Sequence, residues 1–175
     1  MPFLRQLLVI AVCCVLALPG RSQPPTWKPM RFGKISLNYP STWHMSREAH
    51  GEQTRVTLTP DSMQHLTMRI IEIFELPLSG DHTYANFRSG FASILEAQPE
   101  AGIKVTRSEE TTFKGHKTMY AEIIRNSLPG KVYGIDGGTD IYLLFVLPRR
   151  YAAVPDPALE RDEKVILNSI AFDHY

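Results

Sequence analysis

From Phe32 onward the chain reads as short alternating segments. Ile35, Leu37 and Tyr39 are separated by Ser36 and Asn38, the period-two pattern of a strand with one buried face. Pro40-Ser41-Thr42 predicts a turn, because proline presets its own φ and the small hydroxyls can bond the turn backbone. Trp43 and Met45 resume the alternation. The polar stretch 47–53, with Gly51 inside it, predicts a loop, and 55–59 a third strand ended by Pro60. Residues 66–76 are rich in β-branched and aromatic side chains with apolar groups on both faces, as in an interior strand covered from both sides. The period then changes to helical: Tyr84, Phe87, Phe91, Ile94 and Leu95 share one stripe, with Asp81 placed as an N-cap and Pro99 as a stop.

Strands are predicted again over 103–113, polar on one face, and over 117–125, joined by a tight turn at Lys114-Gly115-His116. A second hairpin, 131–135 with 140–147, closes around Asp136-Gly137-Gly138. The run 141–147 is apolar throughout and predicts a central strand. Asp156-Pro157 opens a second helix, a cap followed by proline in the first turn, with Leu159, Ile166 and Leu167 on its apolar side. The sum is an α+β domain: an antiparallel sheet of six to eight strands sandwiched by helices, since an interior strand dry on both faces needs cover on both. No internal repeat and no second domain is visible.

The first residues change the picture of where such a domain works. Arg5 precedes an apolar run of about twelve residues, 7–18, then Pro19-Gly20 and the small residues around Arg21-Ser22. This is the layout of a cleavable signal peptide, residues 1–22, with cutting before Gln23. The run falls short of the roughly 20 residues a membrane-spanning helix needs. Residues 23–30, with three prolines, read as a flexible lead-in, and 31–175 as a single domain. Both cysteines, Cys13 and Cys14, lie inside the apolar run, and Val12 before Cys13 does not fit a lipidation signal. The mature chain has no thiol chemistry and no disulfide to rely on, so its fold rests on its apolar core. Removal of Arg5 and Arg21 leaves 17 basic against 18 acidic residues. With no basic stripe, nucleic acid is a poor partner. The expected location is periplasmic or secreted, with no transmembrane segment after cleavage.

Two stretches carry a family resemblance. Ile35-Ser36-Leu37-Asn38-Tyr39-Pro40-Ser41-Thr42-Trp43 resembles the opening strand and Tyr-Pro-x-x-Trp of the PsbP-like fold, shared by the PsbP photosystem proteins, the Mog-type Ran-binding proteins and the bacterial DcrB-like envelope proteins. Ile166-Leu167-Asn168-Ser169-Ile170-Ala171-Phe172 looks like that family's closing helix, serine and apolar-x-Phe. The resemblance spans roughly 31–173. It implies an α/β/α sandwich around an antiparallel sheet, and a partner-binding or assembly role rather than an enzyme. The nearest kind is the DcrB-like group, from which the chain departs in lacking a lipid-anchored cysteine. Relatives that chaperone type VI secretion effectors lack an export signal, so that role fits badly. Fold analogy alone assigns no function.

Candidate chemistry is sparse. His44, His50, His65, His82, His116 and His174 are scattered, without metal-binding spacing, and no Gly-x-Ser-x-Gly elbow or phosphate-cradling loop occurs. Neither a cofactor nor a metal is expected. Asp136 and Asp140 flank a tight loop that lacks the closing glutamate of a calcium site. Glu72 alternates onto one face with Leu66, Met68, Ile70 and Phe74, and Glu122 sits between Tyr120 and Ile124. A carboxylate on an apolar face either pairs or shifts its pKa, and such groups mark sites. Trp43 is either a ligand platform or a packing anchor, and Trp27 is a candidate exposed contact. The binding candidates are therefore Trp43, Glu72 and Glu122. The leading expectation is a non-enzymatic exported module that binds a protein or small ligand of the cell envelope. The alternative is a hydrolase-like enzyme using Glu72 or Glu122 as general acid or base, which a cavity within hydrogen-bond reach of both carboxylates would favour.

Overall fold

The computed structural model describes residues 26–51, 53–61, 71–77, 83–96, 102–125, 128–138, 140–147 and 157–173. The expected signal peptide, Asp81, Asp156, and the histidines at 65, 82 and 174 lie outside them, as does the expected strand portion 66–70. Ten strands and two helices are described: β1 Trp27–Phe32, β2 Ile35–Pro40, β3 Trp43–His50, β4 Gln53–Pro60, β5 Ile71–Pro77, α1 Tyr84–Glu96, β6 Ile103–Phe113, β7 His116–Arg125, β8 Leu128–Asp136, β9 Asp140–Val146, α2 Pro157–Ser169 and β10 Ala171–Phe172. Every strand pairing is antiparallel. A seven-stranded sheet runs in the order β3-β4-β5-β9-β8-β7-β6, and a three-stranded sheet in the order β1-β2-β10.

The apolar run expected to be central is the middle strand of the large sheet, β9, with Ile141 to Val146 all buried. Paired residues share a face, so register assigns the two sides of the sheet. On one side Met119, Ala121, Ile123, Val132, Ile141, Leu143 and Phe145 pack under Phe87, Phe91 and Leu95 of α1. These three helix residues belong to the stripe read from the sequence. On the other side Val56, Leu58, Ile71, Ile73, Ile135, Tyr142 and Leu144 meet Phe32, Ile35, Leu37 and Tyr39 of the small sheet and Leu159 and Ile166 of α2. Each large side chain so buried contributes about 1.5–3 kcal/mol.

The small sheet corrects one expectation and adds to another. The lead-in expected to be flexible over 23–30 is strand from Trp27 onward. Met30 and Phe32 are buried, and β1 pairs along all of β2. Prolines hid this, yet Pro29 is tolerated because β1 is an edge strand that needs no donor on its outer side. The second face of the large sheet is therefore covered by a helix and a sheet together. β3 also runs on to His50, where a loop over 47–53 is expected, because an edge strand facing solvent can be polar.

Local chemistry sets the ends. Thr83 caps α1: its Oγ1 accepts from the Asn86 N–H at 3.3 Å, two residues beyond the expected cap. Pro157 opens α2 as expected. In the β6–β7 hairpin Lys114 and Gly115 both have positive φ, 53° and 85°, the twist of a two-residue type I′ turn.

Gly134 of β8 lies directly beneath α1. A Cβ there would stand 2.5 Å from ring atoms of both Phe87 and Phe91, which pack edge to face at 5.6 Å. Gly134→Ala is therefore expected to lift the helix and cost about 1–3 kcal/mol. The check is urea unfolding: a lower midpoint at unchanged slope.

Candidate functional site

Glu72 is completely buried, on the α1 side of the sheet, in a cross-strand row with Thr57, Phe145, Val132 and Ala121. Its Oε2 accepts from Arg125 Nη1 at 2.7 Å, and the Arg125 side chain is 15% exposed. The guanidinium crosses the Phe145 ring at 5.9 Å from its centre, so Arg125 reaches over β9 to find its partner. On the same face Arg55 is buried, ion-paired with Glu48, and lies over Phe74 at 5.8 Å. Thr57 and Thr59 are buried beside it. This half of the α1-side face is a polar strip. Its carboxylate is held by a cation, since an ionised group survives burial only when paired.

Glu122 projects from the opposite face. Its side chain is 46% exposed and stands 3.9 Å from Arg107, while its cross-strand neighbours are Arg107 and Lys131. Around it lie Tyr120, Tyr133 and the exposed Ile124. Tyr133 contacts Tyr120 and Phe113, each at 5.3 Å between ring centres, so three rings cross three strands. Burial, then the charge of Glu122, pushes the Tyr120 phenol above its usual value. Burial followed by Glu163 does the same for Tyr133. Glu72 and Glu122 are thus on opposite sides of one sheet, and no single cavity can receive both.

A third group was not foreseen from the sequence. The Tyr142 hydroxyl accepts from the Lys34 backbone N–H at 3.0 Å and donates to Glu75 Oε1 at 3.0 Å. Lys34 Nζ donates to the Gly137 carbonyl at 3.3 Å and lies 3.8 Å from Asp140. Gly33, at φ 54°, brings the β1–β2 turn so close that a Cβ would meet Glu75 Oε1 at 2.1 Å. The group fastens the small sheet to the large one. A glycine before lysine between two strands is the signal that could have found the turn; its tyrosine partner lies 108 positions away and left none.

No protein-family model matches the chain, and no curated protein matches it in sequence. Solved structures do. The solution structure of cyanobacterial PsbP (CyanoP) from Synechocystis superposes with a TM-score of 0.57 at 10% identity, covering 91% of this chain and 99% of that one. The fold is PsbP-like. A protein of unknown function from Pseudomonas aeruginosa also aligns, at TM-score 0.46 and 12% identity over 85% of this chain and 99% of its own.

On the PsbP-like frame, Trp43 packs within the core between the two sheets, 3% exposed, with almost no surface to offer a ligand. The loop after Asp136 is a hairpin turn: Gly138 N–H donates to Asp136 Oδ1 at 2.9 Å and Gly137 N–H to the Asp140 carbonyl at 2.8 Å. His44 is exposed on β3, and His116 Nδ1 lies 3.2 Å from the Asp136 carbonyl. Among the described residues no group of three or more metal-ligating side chains comes together. Among them, too, no helix is long and apolar enough to cross a membrane.

Two outcomes are expected. Glu72→Gln or Arg125→Met strands the other member of a buried pair and costs about 3–5 kcal/mol, whereas Glu122→Gln stays within about 0.5 kcal/mol, both read by chemical denaturation. Burial first, and then the neighbouring Glu75, raises the Tyr142 phenol well above its ordinary value. The folded state therefore favours the protonated phenol. Its contribution is complete below pH about 10, the unfolded value, and is lost as pH rises from there toward the folded value. Stability is expected to fall above pH about 10, and Tyr142→Phe to flatten that fall, in thermal melts across the alkaline range.

Proposed function

We propose that the chain is an exported, non-enzymatic binding module of the cell envelope, periplasmic or secreted, of the DcrB-like kind. Its contact surface is the face of β6, β7 and β8 around Tyr120, Glu122, Ile124 and Tyr133. One observation carries the reading. The small sheet and α2 bury the second face of the large sheet at β4, β5 and β9, but leave Glu122 half in water and Ile124 37% exposed. Aromatic and aliphatic side chains rimmed by Arg107, Glu109 and Lys131 form a surface suited to a protein or small-ligand partner, with central anchors and a polar border. The amino-terminal signal pattern and the PsbP-like fold support the same reading. Acid–base catalysis by two carboxylates has no comparable support, because Glu72 is held by Arg125 on the far side of the sheet.

The test places a photo-crosslinking side chain at Glu122, and in a second protein at Ser93 on the exposed side of α1. Irradiation in the producing cells is expected to give one discrete adduct from position 122, absent from position 93 and removed by Ile124→Glu at unchanged melting temperature. Equal labelling from both positions, or none from 122, would end the proposal. Sequencing the mature amino terminus checks export separately, with Gln23 as the expected first residue.

A further inference from the structure

The strand β5 has an apolar pattern that hardly distinguishes its two faces. Ile71, Ile73 and Glu75 face the small sheet and α2, while Glu72, Phe74 and Leu76 face the α1 side. From Ile71 to Leu76 each face thus carries two apolar side chains and one carboxylate. A one-residue slip moves every side chain to the other face. In β5 the slip trades two apolar residues and an acid for two apolar residues and an acid, so hydrophobic burial discriminates weakly between the registers.

The carboxylates are not interchangeable. Glu72 meets Arg125 at 2.7 Å on one face, and Glu75 meets the Tyr142 hydroxyl at 3.0 Å on the other. We propose that these two polar clamps, one on each face, fix the register of β5 between β4 and β9. In the slipped pairing Glu72 enters a core lined by Val56, Leu58 and Leu144, with its cation on the wrong side of the sheet. Glu75 leaves Tyr142 at the same time. A buried carboxylate without a partner is costly enough to exclude that state. The clamps act against an alternative structure more than for the native one, a role attested for buried polar groups that set register.

The test follows cross-strand proton contacts by NMR in the mature chain. The native protein is expected to show one set, with Val56 opposite Ile73 and Ile73 opposite Leu144. Removing both clamps, and the cation that would be stranded, in E72M/E75M/R125M is expected to add a second set, with Val56 opposite position 72 or 74. The native set alone in that variant overturns the proposal. Should the triple variant not fold, the charge exchange E72R/R125E decides: one native set supports the clamps, while collapse or mixed registers refutes them. Glu122→Gln serves as the control and leaves a single set.

Discussion

Strand β9 is dry on both faces. Between Ile141 and Val146 its only polar side-chain atom is the Tyr142 hydroxyl, and that oxygen is satisfied on both sides, by Lys34 and by Glu75. A strand of this kind cannot lie at an edge or under water, so it takes the middle of the sheet and two layers must be built over it. α1 supplies the first with three residues, Phe87, Phe91 and Leu95. The second needs more surface than one helix offers, and the chain recruits both α2 and the small sheet. Both cysteines lie in the amino-terminal apolar run, so no disulfide supplements these contacts among the described residues.

The cover is unequal. Over β9 and the first residues of β5 it is complete, and the buried charged groups Glu72 of β5 and Arg55 of β4 each hold an opposite charge. Toward β6 it thins out on the second face, and the side chains change accordingly: β6 is polar for nearly its whole length, and a bulge interrupts its pairing between Val105 and Arg107. Charges and a bulge are the usual means by which an edge strand avoids adding further strands. The rim of this hairpin is therefore guarded against a further strand, whereas its face carries Tyr120 and Tyr133.

Much of this layout was legible in the residues. The run at 141–147 announced a central strand, the aromatic stripe of α1 announced its buried side, and the Tyr-Pro-x-x-Trp and closing Ser-Ile-Ala-Phe segments announced a PsbP-like fold. What escaped has physical reasons. β1 was masked by prolines, which propensity reads as loop although an edge strand accepts them. The thirteen-residue α1 takes its cap from Thr83 rather than Asp81 because hydroxyls and carboxylates serve equally and sequence does not choose between them. Glu72 and Glu122 look alike as acids amid apolar neighbours. Only register reveals that one is sealed in and the other open, since a strand's face depends on pairing partners far along the chain. Arg125 as the partner of Glu72, 53 positions away, has no local signature at all.

The small sheet joins the two extremes of the domain. β1 and β10 flank β2, Arg31 and Asp173 meet at 2.6 Å, and Phe172 lies opposite Ile35. Phe172 and the carboxyl end of β1, at Phe32, thus stand about two strand spacings apart across Ile35, near 10 Å. A chain growing from its amino terminus can pair β1 with β2 early, but the remaining edge of β2 stays vacant until Phe172 is available. Contacts of such long separation form late and slowly. The fold is consequently a clasp: its last described strand shuts the small sheet that its first described strand opens.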